Sequence, residues 1–238
     1  MAGFSWILHR LTDKLSRRTV AEGKQSYSQC GEDLIVRYIF DSLRIAAPRY
    51  LDIGAHHPHY LNNTYLFYAA GGRGVNIEPD PELFADFTTR RPRDFNLNIG
   101  IGTAEERLQF FVMSVRTLNT FSSAEAYQLE QEGKVRIERV LEIPVRPVNA
   151  ILQEYFADAD PDFVSLDVEG LDLDILRSLD FSRWRPKVLC VETITYSDQR
   201  SGIKIPEIAE LLHGQGYFSF ADTHVNTIFV DRQVWQAA

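Results

Sequence analysis

Two apolar periods alternate along the chain. In GEDLIVRYIFDSLR, Leu34, Ile35, Tyr38, Ile39 and Leu43 recur at helical spacing and predict a helix. Short, almost wholly apolar runs follow: RYLDIGA, GVNIEPD, FNLNIGIG, DFVSLDVEG and KVLCVET read as buried strands. Between them, residues 62–70, PELFADFTTR, VNAILQEYF and LDLDILRSL read as helices. The early Pro in the second of these sits where its missing N–H costs nothing. RLQFFVM and RIERVLEIPV predict strands on either side of residues 114–133, which carry little regular pattern. IPEIAELLHGQG reads as a helix stopped by Gly, and YFSFAD and NTIFVD close the chain as a hairpin-like pair. Alternating strands and helices predict an α/β fold. Its main sheet has seven mostly parallel strands, helices cover both faces, and an insertion lies between the third and fourth strands.

The 238 residues suit one large domain, spanning 26–238, preceded by an extension over residues 1–25. In that extension Phe4, Ile7, Leu8, Leu11 and Leu15 recur at helical spacing among Arg10, Lys14, Arg17 and Arg18. Such a basic amphipathic helix packs on its own domain, or touches a membrane surface or a partner. It lacks the long apolar core of a secretory signal, and no run reaches the length of a membrane span. Cys30 and Cys190 both sit in apolar stretches and read as buried, reduced thiols of a cytoplasmic protein. The whole chain carries −8; residues 1–25 carry +3, which leaves −11 for the remainder. That balance argues against nucleic acid as a partner, because phosphate neutralisation needs clustered Lys and Arg. The 45% hydrophobic and 24% charged residues exclude disordered, collagenous and disulfide-scaffold classes.

In open α/β sheets ligands bind beyond the carboxyl ends of the strands. The residues there are Asp52, Gly54, Ala55 and His56 after the first strand, and Glu78, Pro79 and Asp80 after the second. Asn98, Gly100 and Gly102 follow the third, Asp167, Glu169 and Gly170 the fourth, and Glu192 and Thr193 the fifth. Gly54 lets backbone approach a ligand closely. Glu78, 24 residues on, can accept both hydroxyl hydrogens of a ribose. The turn reads DIGAHHPH, with one glycine, and a pyrophosphate cradle needs repeated backbone N–H approaches. S-adenosylmethionine has adenosine and a sulfonium but no phosphate, and suits this end better than a nicotinamide dinucleotide does.

YSQCGEDL, YLDIGAH, GVNIEPDP, NLNIGIG, FVSLDVEG, VLCVET and VNTIFV occur in this order across roughly residues 26–231. In that order they resemble the FkbM-type family of S-adenosylmethionine-dependent O-methyltransferases. The resemblance implies a class I methyltransferase (Rossmann-like) sheet with its last strand antiparallel. It also implies methyl transfer to a hydroxyl, with a saccharide, glycan or sugar-bearing metabolite as leading acceptor and a polyketide-type product as the alternative. By position, it places Asp52, Gly54 and Ala55 on the methionine part of the cofactor, and Glu78, with Pro79, at the ribose. Asn98, Gly100 and Ile101 would lie near adenine, Asp167 at the sulfonium and reacting centre, and Ser28 and Gln29 over the cofactor. Readings of a different class are a nicotinamide-dependent reductase and a non-catalytic domain that binds cofactor or partner.

An alcohol attacks a sulfonium methyl readily only if its proton leaves as the bond forms. A general base is one solution. His224, between the last two strands, is the first candidate, with Asp167 beside the reacting centre. A divalent ion such as Mg²⁺ is the other, with Asp167, Glu169 and Glu192 as its ligands. The alternative role of Asp167 and Glu169 is to bond N–H groups at the next helix N-terminus. His56, His57 and His59 follow the first strand; His56 either meets substrate or caps a helix. Asp172 and Asp174 read as first-turn helix charges. Residues 114–133 form the expected acceptor lid, with Phe121 or Tyr127 stacking on a sugar ring. Arg116, Arg90, Arg91 and Arg93 are either a solvated face or a contact for a nucleotide-sugar phosphate.

Overall fold

The computed structural model describes residues 23–133, 135–168, 170–194 and 202–238. The helix expected near the N-terminus, with His9, therefore lies outside the described residues. The chain runs α1 (Glu32–Ser42), β1 (Arg49–Ile53), α2 (Tyr65–Ala69), β2 (Arg73–Ile77), α3 (Pro81–Arg90) and β3 (Phe95–Leu97). It continues through β4 (Gly100–Gly102), β5 (Glu106–Met113), a 3₁₀ turn (Arg116–Leu118), α4 (Ser123–Gln131), β6 (Ile137–Pro147) and α5 (Val148–Tyr155). Last come β7 (Phe163–Leu166), α6 (Asp172–Ser178), β8 (Val188–Glu192), α7 (Pro206–Gly214), β9 (Tyr217–Asp222), β10 (Asn226–Asp231) and α8 (Arg232–Gln236).

The main sheet has the expected seven strands, in the order β3-β2-β1-β7-β8-β10-β9. Strand β10 pairs antiparallel with both neighbours, and the other pairings are parallel. Alternation along β1 sorts the two faces. Leu51 and Ile53 pack with Ile151 and Leu152 of α5, Ile175 and Leu176 of α6 and Ile208 and Leu212 of α7. Tyr50 points the other way, into Val36, Ile39 and Phe40 of α1 and Phe67 of α2. Buried apolar runs thus fix the strands, and one-sided helices cover them.

Three local expectations need correction. FNLNIGIG is two strands. The Asn98 side-chain amide donates to the carbonyls of Glu78 and Pro79, both at 2.9 Å, which ends pairing with β2. The chain then leaves the main sheet, and β4 joins a separate three-stranded sheet in the order β4-β6-β5. Within 114–133 the structure has α4, whose N-cap Ser122 accepts from Glu125 N–H. Only Ala126 and Leu129 of that helix are buried, too few to print a helical period. Cys30 is exposed, because it lies in the loop before α1 and not in a buried run; Cys190, on β8, is buried. Both thiols are free. Among the described residues no helix is long and apolar enough to cross a membrane.

Candidate active site

A cavity of about 750 Å³ opens at the carboxyl end of the main sheet, within the range of small-molecule sites. It is lined by Ile53 at the end of β1 and Gly54 just after it, by Ile77 at the end of β2 and Glu78 just after it, and by Asp167 after β7. The β9–β10 turn, with Thr223, His224 and Val225, forms one wall, and Gln29 and Cys30 flank it. The opposite wall is apolar, with Ile101 from β4, Phe110 from β5, and Leu118 and Phe121 from the segment after it. The inserted sheet therefore supplies an outer wall that the main sheet lacks.

Gly54 is required on two counts. Its φ is +77°, and a Cβ there would fall 1.7 Å from the Asp167 carbonyl oxygen. The ends of β1 and β7 can approach this closely only through glycine. Glu78 is 5% exposed, and its two oxygens accept from His56 N–H and Asp80 N–H, each at 2.8 Å. Burial, with nearby Asp80 and Asp52 adding repulsion against those bonds, pushes its pKa up to about 8. Each oxygen keeps a second lone pair.

Asp167 lines the cavity, and its carboxylate has no hydrogen-bond partner among the described residues. Burial, then repulsion from Asp52 and Glu32, raises its pKa. No side chain caps α6; Asp172, its first residue, instead accepts from Val168 N–H of the preceding loop at 3.3 Å. Asp172 is buried, and that burial and the charge of Asp167 raise its pKa to about 7. His224 is exposed on the cavity wall, with φ +78° and its N–H donated to Asp222 at 2.7 Å. His56 also lines the cavity; burial, then His57, lowers its pKa. His57 turns away to accept from the N–H groups of His59 and Tyr60.

Pro79, Gly100, Ile101 and Gln29 line the cavity as placed by sequence. Four others do not. Asp52 lies inside β1 on the α1 face, where it accepts from Thr64 Oγ1 at 2.7 Å and Asn62 Nδ2 at 3.1 Å. Ala55 is buried, its N–H bonded to Ile77. Asn98 braces the Glu78–Pro79 backbone. The Ser28 hydroxyl is engaged with Asp33, the organiser of the loop before α1. All four support the cavity from behind.

Glu192 and Asp167 both line the cavity, and Glu169 lies outside the described residues. Among the described residues no group of three or more His, Cys, Asp and Glu is arranged to hold a metal ion. The phosphate expectation for the arginines fails for Arg91 and Arg93. Arg91 is fully buried, ion-paired to Asp94 at 2.9 Å, and donates to Tyr50, Thr64, Asn76, Asn62 and the Pro58 carbonyl. Arg93 lies over Tyr68 and bonds its carbonyl. Arg116 does line the cavity, but its guanidinium reaches Glu82 at 3.3 Å, Glu138 at 3.2 Å and Asp80 at 3.9 Å. Phe121 packs on the cavity, whereas Tyr127 is exposed and packs on Phe111.

Sequence reasoning gave no role to two buried acids, Asp80 and Glu32. Asp80 caps α3 through Glu82 N–H and accepts from Asn119 at 3.0 Å, pinning residues 116–121 over the cavity. Glu32 bonds Cys30 N–H, Thr223 and Asn226. Their signals were present as an acid before Pro81 and as the acid pair of the GED motif.

A seven-stranded sheet in this order, reversed at the strand next to its edge, with a single glycine in the turn after β1 and a buried acid at the tip of β2, has the architecture of the class I S-adenosylmethionine-dependent methyltransferases. The family model "Methyltransferase FkbM domain" matches residues 52–219. The chain belongs to the FkbM methyltransferase family. Among solved structures it is similar to the FkbM methyltransferase of Methylobacillus flagellatus, with 17% identity and a TM-score of 0.43. That match covers 78% of this chain and 44% of the other, so this chain spans under half of that protein's length. It is also similar to the 1,6-didemethyltoxoflavin-N1-methyltransferase of Burkholderia thailandensis, solved with S-adenosylhomocysteine (13% identity, 97% and 89% coverage, TM-score 0.38). A third is the magnesium protoporphyrin IX methyltransferase of Synechocystis, solved with S-adenosylmethionine (11% identity, 90% and 86% coverage, TM-score 0.39). No curated protein matches the chain.

Proposed function

We propose that this methyltransferase acts on a hydroxyl of a saccharide, glycan or sugar-bearing metabolite. The carrying observation is that His224 and Asp167 line the same cavity as Glu78 and Gly54. When bound, S-adenosylmethionine supplies an electrophilic methyl group on a sulfonium. The residues present fit that group: Glu78 has spare acceptor capacity for two ribose hydroxyls, and Gly54 and Asp167 line the same cavity beside it. The apolar wall of Ile101, Leu118 and Phe121 suits a flat base. Asp167, without a hydrogen-bond partner among the described residues, presents negative charge toward the reacting centre. We assign His224, which lines the same cavity, the role of taking the acceptor proton, a contribution typically of 10²–10⁴-fold. Gln29, which also lines the cavity, carries a side-chain amide suited to hydroxyl recognition.

The test is transfer of labelled methyl from S-adenosylmethionine to a panel of sugars, nucleotide sugars, glycolipids and macrolides, with and without EDTA. Label in a sugar hydroxyl supports the reading. Label only in macrolides, or on nitrogen, overturns it. Activity abolished by EDTA and restored by Mg²⁺ would replace His224 with a metal as the activating group.

A further inference from the structure

Glu32 is a completely buried carboxylate with no cation beside it among the described residues, and the chemistry above does not use it. Three donors converge on it. Cys30 N–H reaches Oε2 at 2.8 Å, Thr223 Oγ1 reaches Oε1 at 2.7 Å and Asn226 Nδ2 reaches Oε1 at 3.2 Å. Burying an ionised acid is costly unless its lone pairs are taken, and here they are. The donors come from two separate segments that line the cavity: Cys30, beside Gln29, and Thr223, beside His224 and 191 residues from Glu32.

The turn thus anchored is strained. His224 adopts φ +78°, which a non-glycine residue rarely does. Its neighbours hold it there. Asp222 accepts His224 N–H and takes the Lys204 ammonium at 2.7 Å, while Thr223 N–H bonds the Asn226 carbonyl. These bonds define the turn's shape. Only the Glu32 bonds fix its position relative to the loop before α1, among the hydrogen bonds of the described residues.

We infer that Glu32 is a positioning residue: it ties the His224 turn to the Gln29–Cys30 loop and so sets the acceptor side of the cavity. This rests on the reading that His224 faces the acceptor. Neither Gly54 nor Glu78 takes part in these bonds, so the cofactor contacts assigned to those two residues keep their own partners.

The experiment compares full-length wild type with Glu32→Ala, Glu32→Gln and Thr223→Val. Amide hydrogen exchange of the 222–226 peptide is read against a β1 peptide, with S-adenosylhomocysteine affinity measured in parallel. In Glu32→Ala and Thr223→Val, exchange at 222–226 rises tenfold or more, β1 is unchanged, and S-adenosylhomocysteine affinity stays within threefold. Glu32→Gln, which keeps an acceptor for Thr223, recovers most of the protection. With the best acceptor from the panel, kcat falls at least tenfold while KM for S-adenosylmethionine holds. Unchanged exchange at 222–226 in Glu32→Ala overturns the inference, as does a loss of cofactor affinity that matches the loss of kcat. If Glu32→Ala does not fold, Thr223→Val decides by the same readings. Failure of wild type to bind S-adenosylhomocysteine would sink the cofactor reading instead, leaving the exchange result to stand by itself.

Discussion

Gly54, Arg91 and Glu78 carry the sharpest consequences of single side chains. Gly54→Ala combines a positive φ with a Cβ placed on the Asp167 carbonyl; we expect a loss of roughly 2–4 kcal/mol in urea unfolding and no measurable S-adenosylhomocysteine binding. Arg91→Leu strands the buried Asp94 carboxylate, so destabilisation of about 3–5 kcal/mol is expected, without any specific change in cofactor affinity in the folded fraction. Glu78 has a raised pKa, near 8 against an ordinary 4.5. A raised carboxyl binds its proton more tightly in the folded chain. Its contribution to stability therefore falls as pH rises from about 4.5 to about 8 in the free protein. Two ribose hydroxyls donate only to the ionised form, so binding releases a proton. S-adenosylhomocysteine affinity should rise between pH 6 and 8, by up to about tenfold per unit, and calorimetry in buffers of different ionisation enthalpy should detect the proton. Glu78→Gln should bind more weakly and with a flat pH dependence. An unaltered profile in that variant would remove Glu78 from the ribose role.

Among the elements, the segment after β5 depends on Asp80 at the start of α3. Asp80→Ala removes both the α3 cap and the Asn119 anchor. We expect about 1–2 kcal/mol of lost stability and at least tenfold weaker S-adenosylhomocysteine binding, measured by calorimetry, as residues 116–121 lose their seat. Most strands and helices of the main sheet were legible because a buried strand writes an apolar run and the next helix writes a stripe. The cavity residues Gly54, Glu78, Pro79 and Asp167 were legible for the same reason, as the first residues after each run. Asp52 was misplaced because it precedes Gly54 by two positions, inside β1, where alternation turns it to the α1 face. Asn98 was misplaced because its amide ends one strand and starts another, which no period records. Arg91 sits in a polar RRPR stretch. Its burial comes from Tyr50, Asn62, Thr64 and Asn76, far away in sequence. The α4 helix left only the S-x-x-E signature of Ser122 and Glu125.

Across the whole molecule, cofactor binding couples to global stability by mass action. At a hundredfold excess over Kd, S-adenosylhomocysteine should add about 2.7 kcal/mol, which for a chain of this size raises Tm by roughly 5–10 °C. NAD at the same concentration should leave Tm where it is, because the turn after β1 offers no repeated glycines for a pyrophosphate; a shift of equal size would favour the reductase reading.

The departure of the chain from the main sheet at Asn98 carries a practical corollary. The side chains packed between β5, α4 and β6 form small apolar nuclei of their own, separate from the two that hold the seven-stranded platform. The stretch from Thr103 to Arg136 is thus an exchangeable module, bolted on through β4, β6 and Asp80. Transplanting that stretch from a relative should leave the platform folded while redrawing both what the catalyst accepts and, through Leu118 and Phe121, how firmly it holds the methyl donor.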